Sequence, residues 1–256
     1  MSLERELEVC RRAAERAAEV ALRHRQRGIS PETKPDGSPV TAADRECEAL
    51  ISRLLAEAFP DDGLLGEEGA EKGSQSGRRW IIDPIDGTRD FVRGNASWGI
   101  LIGLESGSDP VAGVCYLPVL GEMYGACQGG GAYRNGERIR VSAIDEVSRA
   151  VLCVTGFDKI TRHAFSGRLV EWMSRFWAVR SMGGCMDAML VASGKAEAWI
   201  EPSVKPWDLA PLKIILEEAG GRFCNFDGGS SIYAGNCFAC VPGLEAELRA
   251  FVSGLG

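Results

Sequence analysis

The sequence is poor in the residues on which many enzyme mechanisms rest. Among 256 residues there are two histidines, His24 and His163. One stands among arginines and the other follows Arg162 at an expected helix start. Both read as surface side chains, and a histidine-based triad has little to work with. There is no Gly-x-Ser-x-Gly elbow, no Walker phosphate loop and no Gly-x-Gly-x-x-Gly fingerprint. No apolar run approaches a membrane span, and the opening Met1-Ser2-Leu3-Glu4-Arg5-Glu6 lacks the apolar core of a signal peptide. An excess of positive charge is missing too. The formal net charge of −7 argues against a nucleic-acid partner, and the basic stretch Arg11 to Arg27, interleaved with Glu15 and Glu19, reads as a solvated helix face.

Cysteine is plentiful, but not in a disulfide pattern. The count is nine, an odd number scattered through apolar stretches such as Val114-Cys115-Tyr116. That fits buried reduced thiols in a cytoplasmic protein. Cys237-Phe238-Ala239-Cys240 has zinc spacing, but it stands alone and alternates like a buried strand.

What is present suits an ordinary folded chain, with 45% apolar and 25% charged residues. Leu3, Leu7, Cys10, Ala14, Ala17, Ala18, Ala21 and Leu22 recur at helical spacing, and Gly28 ends that helix. A turn-rich loop, Pro31 to Pro39, precedes a second helix over Ala42 to Ala58 with Thr41 as its N-cap. Trp80-Ile81-Ile82 reads as a short strand. Further strands are expected over Trp98–Leu104, Val111–Leu117 and Glu122–Ala126, then near Val151, Ala178, Ala196–Ile200 and Phe238. Helices are expected over Phe165–Arg175, Cys185–Ser193, Trp207–Ala219 and Leu244–Val252. The pattern suggests an α/β sandwich with two sheets. A first unit over 1–145 would carry the acidic motifs, and a second over 146–256 would close the active site.

The chemistry lies in carboxylates. Asp83 and Asp86 follow an apolar strand, separated by Pro84 and Ile85. Pro84 restricts its own φ and its predecessor, and Gly87 permits a sharp turn before Thr88. Two ionised carboxylates held that close need a cation or a proton. Oxygen donors select Mg²⁺ or Ca²⁺ over zinc, and the order of an EF-hand loop is absent. Glu67-Glu68 between glycines is a second acidic turn. Asp208 opens a helix and Asp44 opens another, where each also reads as an ordinary cap.

Four segments in this order resemble the inositol monophosphatase family of magnesium-dependent phosphatases. They are Pro39-Val40-Thr41-Ala42-Ala43-Asp44, Gly66-Glu67-Glu68, Trp80 to Thr88, and Trp207-Asp208-Leu209-Ala210 running on to Glu217-Glu218-Ala219-Gly220-Gly221. The resemblance implies a layered αβαβα sandwich, a homodimer, and hydrolysis of a small phosphate monoester by a metal-activated water, with two or three Mg²⁺ ions. By position it implies Glu67, Asp83 and the Ile85 carbonyl as ligands of one ion, and Asp83, Asp86 and Asp208 as ligands of a second. Glu67 would also help hold a third. Thr88 and Asp44 would orient and deprotonate the water, and Gly87 and Thr88 would bind phosphate. Gly184, Cys185, Glu201 and Asp208 would contact the substrate. The implied substrate is an inositol-monophosphate-like metabolite, with histidinol phosphate as the alternative. Fructose 1,6-bisphosphate, NADP and 3′-phosphoadenosine 5′-phosphate follow, as does a catalytically silent metal-binding regulator. Lys34 to Thr41 is similar to the histidinol-phosphatase branch. Gly184 stands where that branch commonly has Asp, and Arg89-Asp90 replaces the commoner polar pair, so the alcohol stays open.

Overall fold

The computed structural model describes residues 3–254, so the outermost residues of the two expected units, 1–2 and 255–256, lie outside the described residues. Helix α1 (Glu4–Arg27) buries a stripe of small side chains, Cys10, Ala13, Ala14, Ala17, Ala18 and Ala21. Small residues at i, i+3 and i+4 let α1 lie close against α2 (Ala42–Ala58) and the sheet beneath. Between these helices a two-stranded hairpin, β1 (Glu32–Thr33) with β2 (Pro39–Val40), carries the turn-rich loop.

Eight strands form the main sheet. In chain order they are β3 (Gly63–Gly66), β4 (Glu71–Lys72), β5 (Arg78–Asp86), β6 (Gly99–Ser106), β7 (Asp109–Leu117), β8 (Glu122–Cys127), β9 (Gly131–Arg134) and β10 (Glu137–Ile139). Their spatial order is β10-β9-β8-β7-β6-β5-β3-β4. All neighbours run antiparallel except β3 and β5, which are parallel, with Gly66 level with Ile82. A short helix, α3 (Thr88–Arg93), leaves the end of β5.

The second sheet has five strands in the order β12-β11-β13-β15-β14. These are β11 (Val151–Val154), β12 (Ala178–Arg180), β13 (Ala198–Glu201), β14 (Arg222–Cys224) and β15 (Cys237–Cys240). Helices α4 (Phe157–Ile160) and α5 (Leu169–Met173) belong to this half, as do α6 (Gly184–Ala192), α7 (Pro206–Glu218) and α8 (Glu245–Val252). Three apolar cores separate the layers. One joins α1 and α2 to the main sheet, a second joins that sheet through α6 and α7 to the five-stranded sheet, and a third covers the far face of the latter with α5 and α8. The result is the αβαβα sandwich.

Three expectations need correction. The strand expected over 80–82 runs on to Asp86, through Pro84. Its pairing with β6 shifts register between Asp83 and Asp86, an irregularity that tolerates a residue with no N–H. The helix expected over Phe165–Arg175 is a 3₁₀ turn, Ala164–Arg168, followed by the five residues of α5. Gly167 weakens the helix there, while Phe165, Leu169, Trp172 and Phe176 still bury together. His163, expected at the surface, is half-buried against Phe165 and Phe226 and bonded to the Pro202 carbonyl at 3.1 Å. The Cys237–Cys240 pair lies in a strand and all nine cysteines are free, as the alternation indicated.

Candidate active site

Parallel strands end side by side, so β3 and β5 bring their C-terminal ends to one place. Glu67 directly follows β3 and donates its N–H to the Ile82 carbonyl at 3.1 Å. Asp83 and Asp86 lie on the last turnings of β5. Asp208 arrives from the first turn of α7, where Pro206 starts the helix and the Asp208 carboxylate accepts the Lys205 N–H at 2.7 Å. One oxygen from each of Asp83, Asp86 and Asp208 lies within 4.8 Å of the other two. Glu67 stands beside Asp83 on the wall of the same cavity, of about 300 Å³, which also includes Ile85, Gly87, Thr88, Gly184, Cys185 and Glu201.

The electrostatics show what this cluster lacks by itself. Burial, followed by the charges of Glu67, Asp86 and Asp208, pushes the Asp83 carboxyl well above the usual range. Burial and then the Asp86 charge raise Asp208 to about 8. Asp86 is raised by burial too, opposed by its bond from the Cys185 N–H at 3.0 Å. Carboxylates in this state are stabilised by cations, and an all-oxygen donor set fits a hard divalent ion. Glu67 already has one cation near it, because Lys34 Nζ bonds Glu67 at 2.8 Å and Glu68 at 2.6 Å.

Local sequence explains how the acidic turns are held. Glu48 on α2 is buried and accepts the N–H groups of Glu68 and Ala70, both at 2.8 Å. Gly66 makes room for that carboxylate, since a Cβ there would lie 2.4 Å from it. Gly87 has φ +83°, and a Cβ there would meet the Ser97 carbonyl at 2.7 Å, so both conformation and space demand glycine.

Asp44 is fully buried and completes a capping box with Thr41, accepting the Thr41 N–H at 2.8 Å and hydroxyl at 2.5 Å on Oδ2. Its Oδ1 faces the Thr88 hydroxyl at 3.3 Å, which also reaches the Ile85 carbonyl at 3.1 Å. Burial, partly offset by Thr41, raises the Asp44 pKa. The side chain that caps α2 is therefore also the one that faces Thr88.

All the site residues expected from the sequence, except Asp44, line this one cavity, and Asp44 reaches it through Thr88. Neither histidine lines it. Sequence reasoning missed Lys34 as a partner of Glu67, Glu48 behind the Gly66 turn, and the wall made by Thr155 and Trp199. Gly66 was the one available signal for Glu48. Nothing in the local sequence marks Thr155.

A profile of the inositol monophosphatase family matches residues 2–251. A histidinol-phosphatase from Chlorobaculum parvum is 40% identical over 252 residues, covering 98% of this chain and 96% of the relative. An inositol-1-monophosphatase from Mesorhizobium japonicum is 36% identical over 225 residues, covering 86% of this chain and 83% of the relative. Among solved structures, the extragenic suppressor protein suhB from Bartonella henselae superposes with a TM-score of 0.89 at 30% identity, covering 97% of this chain and 98% of that one.

Proposed function

The chain belongs to the inositol monophosphatase family and is a phosphoric monoester hydrolase; from that premise we propose that it is magnesium-dependent and that its substrate is histidinol phosphate. The observation that carries the metal reading is the triad of carboxylate oxygens from Asp83, Asp86 and Asp208 within 4.8 Å of one another. In this reading Glu67, Asp83 and the Ile85 carbonyl hold one Mg²⁺, and Asp83, Asp86 and Asp208 hold another, with Glu67 sharing in a third. Bound there, the ions lower the pKa of a water and neutralise charge on the phosphate.

The protein's own groups do the positioning. The Thr88 hydroxyl, between Asp44 Oδ1 and the Ile85 carbonyl, is placed to take a proton from the water as its own passes to Asp44. The raised pKa of Asp44 makes it a better base near neutral pH than an exposed aspartate. Gly87 and Thr88, opening α3 on the cavity wall, present the N–H groups that this reading assigns to phosphate oxygens.

This reading puts the leaving alcohol against Gly184, Cys185 and Glu201, which line the cavity. Burial holds the Glu201 carboxyl well above its usual range, and an ammonium beside it would draw the carboxylate back to its charged form. That chemistry, with the histidinol-phosphatase relative that spans nearly the whole chain, ranks the amino alcohol ahead of inositol monophosphate, the first expectation from the sequence. The test is phosphate release with Mg²⁺ over a panel of histidinol, inositol, sugar and nucleotide monophosphates. We expect histidinol phosphate to give the highest kcat/KM. A higher value for inositol phosphate would reverse the ranking, and turnover undiminished by chelator would sink the metal reading. Asp208→Asn should abolish turnover in the same assay while far-UV circular dichroism stays unchanged. The homodimer and cytoplasmic location implied by the family are also part of this proposal, and sedimentation of the purified protein tests the first.

A further inference from the structure

Behind the alcohol side of the cavity lies a buried polar group that the phosphate chemistry does not use. Asp187, on α6, is fully buried. Its Oδ1 accepts the Met182 N–H at 3.0 Å, and its Oδ2 accepts the Thr155 hydroxyl at 2.8 Å. The Cys153 thiol on β11 also favours its charged form. Thr155 Oγ1 in turn accepts the Trp199 indole N–H at 3.1 Å. Thr155, Trp199 and Glu201 line the cavity and Asp187 does not. On the same cavity wall, the Thr155 hydroxyl acts on Glu201 as a donor that favours its charged form.

A hydroxyl has one proton to give. Two buried carboxylates, Asp187 and Glu201, compete for the one that Thr155 carries. We infer that Asp187 is a positioning residue that holds the Thr155 proton away from Glu201, so that this wall of the cavity presents acceptors only. Thr155, one lone pair already taken by Trp199, then offers its other lone pair to the cavity, and Glu201 keeps its oxygens free. A wall of that kind selects a leaving alcohol rich in donors, an ammonium or several hydroxyls, over one that has none. The inference rests on the phosphatase reading of this cavity and deepens it by naming the class of leaving group.

Asp187→Asn separates this role from a purely structural one. The carboxamide keeps an oxygen for Met182 but turns its N–H₂ toward Thr155 Oγ1, which must swing its proton to Glu201. One acceptor of the wall is then consumed. We expect KM for histidinol phosphate to rise about tenfold, the loss of one hydrogen bond to a charged group, with kcat changed less than about threefold. For p-nitrophenyl phosphate, whose leaving group has no donor, kcat/KM should hold within about twofold. Thr155→Val should raise KM for histidinol phosphate selectively, Thr155→Ser should behave as wild type, and adding Asp187→Asn to Thr155→Val should cause no further selective loss. Equal losses on both substrates, no selective loss, or an Asp187→Asn effect undiminished in the Thr155→Val background would overturn the inference. If Asp187→Asn does not fold, the Val and Ser variants at Thr155 decide it by the same ratio. If histidinol phosphate is not hydrolysed, the substrate reading falls. The ratio taken with the polyol or amino-alcohol phosphate that is hydrolysed best then still decides the role of Asp187.

Discussion

Asp44 divides its two oxygens between structure and chemistry. Oδ2 accepts both Thr41 bonds at the start of α2, and Oδ1 is left for Thr88. In the sequence this residue had two readings, an ordinary cap and a site residue; the structure shows the cap and leaves the second oxygen facing Thr88. The pair makes a sharp prediction. Thr88→Val removes the hydroxyl that connects the cavity to Asp44 while keeping shape. We expect kcat to fall by roughly 10²–10⁴, the range of a lost acid–base group, with KM for the phosphate monoester little changed. Steady-state phosphate release measures it, and a kcat within threefold of wild type would remove Thr88 from the relay. Asp83 and Asp86 were legible as residues because their spacing around Pro84 has no structural need. Glu67 was legible only through the family resemblance, since most acidic turns between glycines are solvent-facing loops.

Elements explain why that solvent-facing turn is not one here. Glu67 follows β3, and β3 is parallel to β5, so the turn is carried to the end of the strand that bears Asp83 and Asp86. Glu48 on α2 then pins the turn through the N–H groups of Glu68 and Ala70. Gly66→Ala places a Cβ within 2.4 Å of the Glu48 carboxyl. The expected result is a lower melting temperature together with a higher Mg²⁺ concentration for half-maximal activity, because Glu67 moves with the turn. A metal titration followed by phosphate release checks it. An unchanged titration would show that Glu67 is held independently of Glu48. At the head of α2, Thr41→Ala should cost about 1 kcal/mol by loss of the cap, and should lower kcat as well because Asp44 loses the partners of Oδ2. Chemical denaturation and turnover measured on the same sample test the two effects together. Strand β3 itself escaped a reading from sequence: Gly63-Leu64-Leu65-Gly66 is too short and glycine-rich to show alternation.

For the molecule as a whole, the carboxylate cluster sets how stability depends on pH. Asp208 sits at about 8 in the folded protein through burial and the Asp86 charge, whereas an unfolded aspartate titrates near roughly 3.9. Between those values the unfolded chain has released its proton and the folded chain keeps it, so stability falls as pH rises across this window. Chelated protein should therefore melt at a lower temperature at pH 8 than at pH 6, and saturating Mg²⁺ should flatten that slope. Asp208→Asn should flatten it without metal. Thermal melts across pH, with and without chelator, decide the point, and an Mg²⁺-independent slope would count against the cluster as its source. The same scale separates what the amino-acid order settled alone from what folding added. Periodicity located α1, α2, α7 and the central strands, and the spacing in Asp83-Pro84-Ile85-Asp86-Gly87-Thr88 marked a place for a hard cation, because these are local properties of neighbouring residues. The meeting of Glu67, Asp86 and Asp208, the Lys34 contact with Glu67, and the Asp187–Thr155–Trp199 network behind Glu201 join residues from separate elements. Those distances follow from the parallel pairing of β3 with β5 and from the packing of α6 and α7 between two sheets. Only the tertiary structure decides them, since residues far apart in the chain have no fixed separation until the layers close.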